Sequence, residues 1–181
     1  ADGVHSKQRE VAPASISLID RFGVVLKSGR KIASALSSDA VYAEVREAAR
    51  RLLRGEHCDV IVLPKGDETD ETAGTGPDHR SCPILIGRAL KAGQAVTQSG
   101  GDTAKRGHAG GAVMAQSSLC APIFVRGAAV ACLSVTHDNV RGLFGPDEER
   151  LADFITAIAG AALENADGFA QLQSLNRSSS N

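Results

Sequence analysis

Four cysteines and five histidines are the residues of this 181-residue chain that could carry out redox chemistry or bind a metal. The cysteines stand at positions 58, 82, 120 and 132, and none of them belongs to a Cys-x-x-Cys motif. Two of them, Cys120 and Cys132, lie in neighbouring apolar runs, "SLCAPIFV" and "AAVACLSVTH". This spacing suits reduced thiols in a cytosolic protein better than a disulfide framework.

The two apolar runs predict a β-hairpin with its turn at Arg126 and Gly127. A two-residue turn there places Cys120 opposite Leu133 and directs Cys132 to the other face of the sheet, because side chains alternate along a strand. A three-residue loop with Gly127 in the left-handed conformation instead places Cys120 opposite Cys132. Arginine fits poorly at the first position of a type I′ turn, so both registers stay open.

Motifs for metal binding or catalysis are missing from the sequence. His57 and Cys58 are adjacent, which on a strand sends their side chains to opposite faces and does not suit one metal ion. No Gly-x-Ser-x-Gly, Walker A or His-Glu-x-x-His pattern occurs. The glycine-rich stretch 99–116 is interpreted as an irregular loop. We therefore expect neither a catalytic residue nor a metal site.

Composition argues against several classes of partner. The formal net charge of −1 gives no electrostatic basis for binding nucleic acid or a membrane surface. The chain has no tryptophan and one tyrosine, so an aromatic platform for single-stranded nucleic acid is not expected. No apolar run reaches the roughly 18 residues that a membrane span needs, and the chain does not open on a signal-peptide pattern. We expect a cytoplasmic protein.

Apolar periodicity predicts the helices that flank these residues. A first helix over 15–36 repeats Ile19, Phe22, Leu26, Ala33 and Leu36. A second helix begins after an N-cap within 37–39, places Val41, Val45, Ala48 and Leu52 on one face, and ends at Gly55 as the left-handed cap. The final helix runs from about Pro146 to about Leu175, and its apolar stripe comprises Leu151, Phe154, Ile158, Ala161 or Ala162, Leu172 and Leu175.

Shorter elements fill the middle of the chain. We predict a strand over 59–64, a flexible loop or a polar edge strand over 65–80, a short helix over 83–93 capped by Gly93, and a strand over 94–98. The hairpin then precedes the final helix. Helices together with a tight hairpin indicate an α+β layer fold with an antiparallel sheet.

Four segments in the right order resemble the GAF domain family. They are "RKIASALSSDAVYAEVREAARRLLRGEHCDVIVL", "IGRALKAGQAV", "SSLCAPIFVRGAAVACLSV" and "LFGPDEERLADFITAIAGAALENADGFAQLQ", which together cover roughly residues 20–175. The resemblance implies a GAF-like, PAS-related antiparallel sheet of about six strands. Terminal helices cover one face, and a pocket closed by loops lies on the other.

The resemblance also implies domain limits and a role. Residues 1–14 are expected to be a disordered tail, 15–175 a single GAF-like domain, and 176–181 a disordered tail cut from a longer protein.

GAF domains are usually non-catalytic sensors in bacterial signalling proteins such as histidine kinases. They couple the binding of a ligand or partner to a downstream output domain. The ligand or cofactor stays unknown. The pocket candidates are Ile86, Leu90, Val96, His108, Met114 and Cys120.

Several chemistries known in GAF-fold proteins fit this sequence less well. Free methionine sulfoxide reductases need a reactive thiol with a partner thiol. Cys82 lies near basic residues, but Cys120 is followed by Ala121-Pro122 and lacks the reductase pattern. His108 is the best single haem-ligand candidate. Neither Cys82 nor Cys120 stands in a bilin-attachment setting, and the phosphodiesterase pattern for cyclic nucleotides does not occur.

The final helix is predicted to form a dimer. Its apolar stripe must be buried somewhere. We expect the range 151–163 to contact the sheet, and the residues nearer the C-terminus to contact a partner in a parallel homodimer. The residues assigned to this dimer helix are Phe154, Ile158, Phe169, Leu172 and Leu175. The alternative is a purely dimerising module whose pocket is filled by its own side chains.

Overall fold

The computed structural model of the protein describes residues 14–64, 82–100 and 115–179. The helices are α1 (Ala14–Ala33), α2 (Ser38–Leu53), α3 (Pro83–Ala92) and α4 (Pro146–Ser178), and the strands are β1 (His57–Val62), β2 (Val96–Ser99), β3 (Ser117–Val125) and β4 (Ala128–His137). All of these elements were predicted, with bounds that differ by a few residues. The predictions for His108, Met114 and the loop 65–80 lie outside the described residues.

The strands form one antiparallel sheet in the order β1-β4-β3-β2. This confirms the α+β, GAF-like sheet, and the described ranges contain four strands of the six or so expected. Pro122 lies in β3, where it has no N–H to donate to the ladder. The pairing with β2 stops at Cys120, so the missing N–H lies on a side of β3 that has no strand neighbour within the described ranges.

Helices α2 and α4 pack against one face of the sheet, and α1 packs on these two helices. The main core lies between them and contains Leu119, Ala121 and Ile123 of β3 and Ala131, Leu133 and Val135 of β4. The predicted face of α2 is buried there, namely Val41, Val45, Ala48 and Leu52. The terminal helices therefore cover one face of the sheet, as expected.

The cap of α2 differs from the prediction at its C-terminal end. Ser37 caps the N-terminus, and its hydroxyl accepts a hydrogen bond from the N–H of Ala40 at 3.2 Å. Arg54, with φ 55°, takes the left-handed position that was assigned to Gly55. Gly55 is needed for space instead, because an added Cβ would overlap the Val135 side chain.

Small residues allow α4 to pack tightly on the sheet. Its start agrees with the prediction, with Pro146 in the first turn and the Glu148 carboxylate accepting the N–H of Gly145 at 2.8 Å. The buried face is Ala152, Ile155, Thr156, Ala159, Gly160, Ala162, Leu163 and Ala166. The range 151–163 that was predicted to contact the sheet holds most of this buried face, including Ala162 of the predicted stripe. Phe154 and Ile158 of that stripe lie to one side, against Gly29 of α1.

The apolar repeat predicted for α1 lies mostly on its solvent side. Phe22 is 64% exposed, and Leu26 is also exposed. Within residues 20–33, α1 buries Ser28, Gly29 and Ile32, and Gly29 lies against the Phe154 and Ile158 side chains of α4. Among the described residues, no helix is both long and apolar enough to cross a membrane.

Candidate functional site

The hairpin between β3 and β4 decides which way the two cysteines point. The turn has two residues, Arg126 and Gly127, with φ 53° and 78°, and it pairs Val125 with Ala128. A β-bulge then shifts the register by one residue between Ile123 and Phe124.

The bulge gives a register that neither sequence-based alternative contained. Cys120 lies opposite Ser134, and Cys132 lies opposite Pro122. A one-residue shift moves all the side chains beyond it to the other face. Cys120 and Cys132 therefore share one face, as diagonal neighbours on adjacent strands, on the side of the sheet away from the main core.

This second face, which we call the α3 face, carries three rows of side chains that follow from strand register and alternation. The rows are His57–Thr136–Ser118–Gln98, Asp59–Ser134–Cys120–Val96 and Ile61–Cys132–Pro122. The first row is polar throughout, and the last is apolar apart from its thiol. The α3 face therefore offers a gradient from hydrogen-bonding groups to an apolar surface, which is a common composition for a small-molecule site.

Helix α3 covers the apolar end of this face. Leu85 and Ala89 of α3 form a second core cluster with Cys120 and Cys132, and three further side chains, Cys82, Ile86 and Val96, pack partly buried against it. The helix begins at Pro83 and ends at Gly93, which adopts φ 69° as predicted. Because Cys82 caps the start of α3, the fold gathers three of the four thiols at one end of the helix.

Hydrogen bonding and burial act differently on these thiols. A hydrogen bond with Cys132, together with burial, raises the pKa of Cys120 well above that of a free thiol. The same hydrogen bond lowers the pKa of Cys132, whereas burial opposes that effect. On the opposite face, burial raises the pKa of Cys58 to about 11. Cys120 and Cys132 are 1% and 0% exposed, so a solvent reagent does not reach them in this conformation.

The predicted pocket residues are partly brought together. Ile86, Val96 and Cys120 belong to the cluster under α3, and Leu90 is a half-buried residue of the same helix. The sequence analysis missed Leu85 and Ala89, although their spacing from Pro83 on a short helix was a signal. It also missed the polar row, because the register that aligns its members depends on the bulge.

Strand β2 links α3 to α4 across the sheet. It starts only a few residues after Gly93, so its position is tied to that of α3. On the opposite face, the N–H of Ala95 donates to Asp153 Oδ1 at 2.7 Å, and the Thr97 hydroxyl donates to Glu149 Oε1 at 2.9 Å. These bonds join the beginning of β2 to the first turns of α4. Strand β2 therefore contacts α4 directly and follows α3 in the chain.

Solved structures with this fold share little sequence with the chain. The GAF domain of a phosphoenolpyruvate-protein phosphotransferase from Acinetobacter has 13% identity and a TM-score of 0.61, over 82% of this chain and 95% of that chain. The GAF domain of the potassium sensor histidine kinase of Escherichia coli has 16% identity and a TM-score of 0.54, over 83% of this chain and 97% of that chain.

An enzyme has the same fold. Free methionine-R-sulfoxide reductase from Neisseria meningitidis, solved with its substrate, has 13% identity and a TM-score of 0.61, over 91% of this chain and 99% of that chain. A search of curated proteins finds no match. The family model described as "GAF domain" matches residues 35–164, which is well over half of the sequence. The chain therefore belongs to the GAF domain family.

Proposed function

We propose that this GAF domain is a non-catalytic sensory or regulatory module of a bacterial signal-transduction protein. A small ligand or a partner would bind at the α3 face, and α4 would carry the response to a downstream output domain. The similar structures include domains of a sensor histidine kinase and of a phosphotransferase protein, which supports a regulatory role. The ligand must bind two conformations of the domain unequally, because otherwise it shifts no equilibrium.

The observation that carries this proposal is the pair of hydrogen bonds from β2 to α4. Asp153 and Glu149 lie on α4, whereas β2 continues from the helix that covers the α3 face. A hydrogen bond to a charged carboxylate contributes about 1.5–3 kcal/mol. Two such bonds are strong enough to make the start of α4 follow a displacement of α3.

The C-terminal part of α4 is the proposed route to the output domain. The helix is continuous to Ser178, and its last buried residue is Ala166. Beyond it, Phe169, Leu172 and Leu175 are exposed, the latter two by 65% and 63%. Isolated apolar residues on a surface are common, but three at helical spacing form a stripe that gains stability when a partner covers it.

We further propose that the partner is a second copy of this chain, in a parallel dimer. The apolar surface continues from the end of α4 to a groove of about 410 Å³ between α1 and α4, which Leu26, Phe154 and Ile158 help to line. The exposed side of α1, including Phe22, extends it further. Parallel association of two α4 helices would place both C-termini side by side, where paired output domains would start.

A thiol enzyme of the methionine sulfoxide reductase type is the second candidate. The juxtaposed thiols of Cys120 and Cys132, and the reductase among the similar structures, favour it. Catalysis needs an accessible thiolate. The lowered pKa of Cys132 favours a thiolate, but burial of both groups opposes its accessibility. A regulatory role therefore fits the α3 face better, and an assay with free methionine sulfoxide and a thiol reductant tests the enzyme directly.

Hydrogen exchange on α4 tests the regulatory proposal without knowledge of the ligand. Ile86→Ala loosens the contact of α3 with its cluster, which mimics a displacement at the proposed site. We expect faster amide exchange in the first turns of α4, and we expect Asp153→Ala to remove most of this response. Asp147→Ala, an exposed carboxylate of the same helix, is the matched control and should preserve it. Unchanged exchange in α4 upon Ile86→Ala would refute the coupling.

A further inference from the structure

A cluster of metal-binding side chains lies where β1 begins and β4 ends. One ligand atom from each of Glu56, His57 and Asp138 can be chosen so that all three lie within 4.8 Å of one another. His57 Nε2 is 3.5 Å from Asp138 Oδ2. One imidazole and two carboxylates form a borderline-to-hard ligand set, of the kind that binds divalent transition metals.

Backbone hydrogen bonds hold these side chains in place. The N–H of Glu56 donates to the carbonyl oxygen of Thr136 at 2.9 Å, which continues the β1–β4 ladder. The N–H of Asp138 in turn donates to Glu56 Oε2 at 3.2 Å. Because both strand ends are fixed, the three groups converge without a large loss of conformational freedom on binding.

One separation between ligand atoms matches a tetrahedral ion. Zinc lies about 2.0–2.2 Å from nitrogen and oxygen ligands, so two ligands of a tetrahedral site are about 3.3–3.6 Å apart. The 3.5 Å between His57 Nε2 and Asp138 Oδ2 falls in that range. Glu56 is exposed, and its ligand atom lies within 4.8 Å of the other two.

A buried hydroxyl next to the cluster is a second, independent indication of a ligand. Thr136 lies directly opposite His57 on the α3 face and is only 3% exposed. Within the part of the chain that the structure describes, Thr136 Oγ1 has no hydrogen-bond partner. Leaving such a group unsatisfied is unfavourable. A water or anion in the open coordination position of a metal at His57 would supply the missing partner.

His137 acts as a positioning residue and not as a ligand. Its Nδ1 accepts hydrogen bonds from the N–H groups of Asn139 and Val140, both at 3.2 Å. The lone pair of this nitrogen is therefore already used. The bonds fix the chain just after β4, and so they fix the direction of Asp138.

We propose that Glu56, His57 and Asp138 form a binding site for a divalent transition metal, best suited to Zn²⁺, with a coordination position open toward Thr136. The site lies in the polar row at one end of the α3 face. The inference is independent of the proposed sensory function, because it concerns only metal binding to these side chains.

Titration with Zn²⁺ of untagged, chelator-treated protein tests the site. We expect one ion per chain, and His57→Ala should weaken binding at least about 10-fold, since one of three protein ligands is lost. Glu56→Gln removes a ligand from an exposed position, so it tests the site in a folded protein even if another variant is unstable. Asp59→Asn, which removes a carboxylate from the next row of the same face, is the matched control and should bind as wild type.

Titration with Co²⁺ distinguishes this site from the thiols. Coordination by nitrogen and oxygen gives only weak visible bands, whereas thiolate ligands add intense charge transfer in the near ultraviolet. We expect the weak bands, and we expect His57→Ala to remove them. The proposal is overturned by equal Zn²⁺ affinity in wild type, His57→Ala and Glu56→Gln, by failure of the wild type to bind, or by a thiolate spectrum that His57→Ala leaves unchanged.

Discussion

Helix α4 packs tightly against the backbone of β3 at Gly160, and substitution of this glycine by alanine should destabilise the fold. A Cβ added to Gly160 would overlap the carbonyl oxygen of Phe124 in β3. Helix and strand would have to separate by about 1 Å to restore ordinary contact. Because the opposing atom belongs to the backbone, no side-chain rotation can relieve the overlap.

The size of the effect follows from two opposing contributions. Overpacking of a tight contact costs about 1–3 kcal/mol. The cost of Gly160→Ala should lie at the upper end of this range, because the opposing atom belongs to the backbone. Replacing glycine by alanine inside a helix stabilises the helix by about 1 kcal/mol through its higher helix propensity. The net loss is about 2 kcal/mol, which lowers Tm by about 4–8 °C for a chain of this size.

Gly168 provides a control in the same helix. A Cβ added there meets no atom within 4 Å. Gly168→Ala should therefore show only the propensity gain of about 1 kcal/mol and raise Tm by about 2–4 °C. Thermal unfolding followed by circular dichroism measures both variants. If Gly160→Ala were as stable as Gly168→Ala, the tight contact between α4 and β3 would not exist in solution.

Three further outcomes are expected. Leu172→Asp should convert the dimer into a monomer in light scattering at micromolar concentration. Ile84→Asp, which changes an equally exposed residue on α3, should leave the dimer intact. A monomeric wild-type protein would contradict the proposed dimer. Arg126→Asn should stabilise the domain by about 0.5–1 kcal/mol in urea unfolding, because asparagine adopts the left-handed conformation more readily than arginine does. A less stable variant would argue against the positive φ at this position. Folding raises the pKa of Cys58 to about 11, so its neutral thiol contributes fully to the free energy of unfolding below the unfolded pKa of about 9. This contribution is lost as the pH rises from about 9 toward 11. Cys58→Ala should flatten the dependence of stability on pH in urea unfolding, and an unchanged slope would contradict this expectation.

The order and type of the elements were determined by the sequence alone. Residue periodicity, the Ser37 cap, Pro146 and Gly93 signal their positions locally, and the structure confirms them. The family could also be identified at this level, because four short segments occur in the expected order. Local signals of this kind do not require knowledge of what each element packs against.

The faces of the elements were decided only by tertiary structure. The sheet side of α4 is built from small residues around Gly160, because contact with a strand backbone leaves no room for the larger apolar ones that a periodicity analysis selects. Arg54 carries the positive φ that was assigned to Gly55, since Gly55 is needed for its lack of a Cβ beside Val135.

The α3 face depends most of all on tertiary structure. A single bulge in β4 brings Cys120 and Cys132 to one side and aligns Ser118 with Thr136, and nothing in the local sequence marks it. Register has a period of two residues, so one extra residue changes the face of every side chain beyond it. The sequence by itself determined the strands that carry these groups, whereas the pairing of distant strands decided which of them meet.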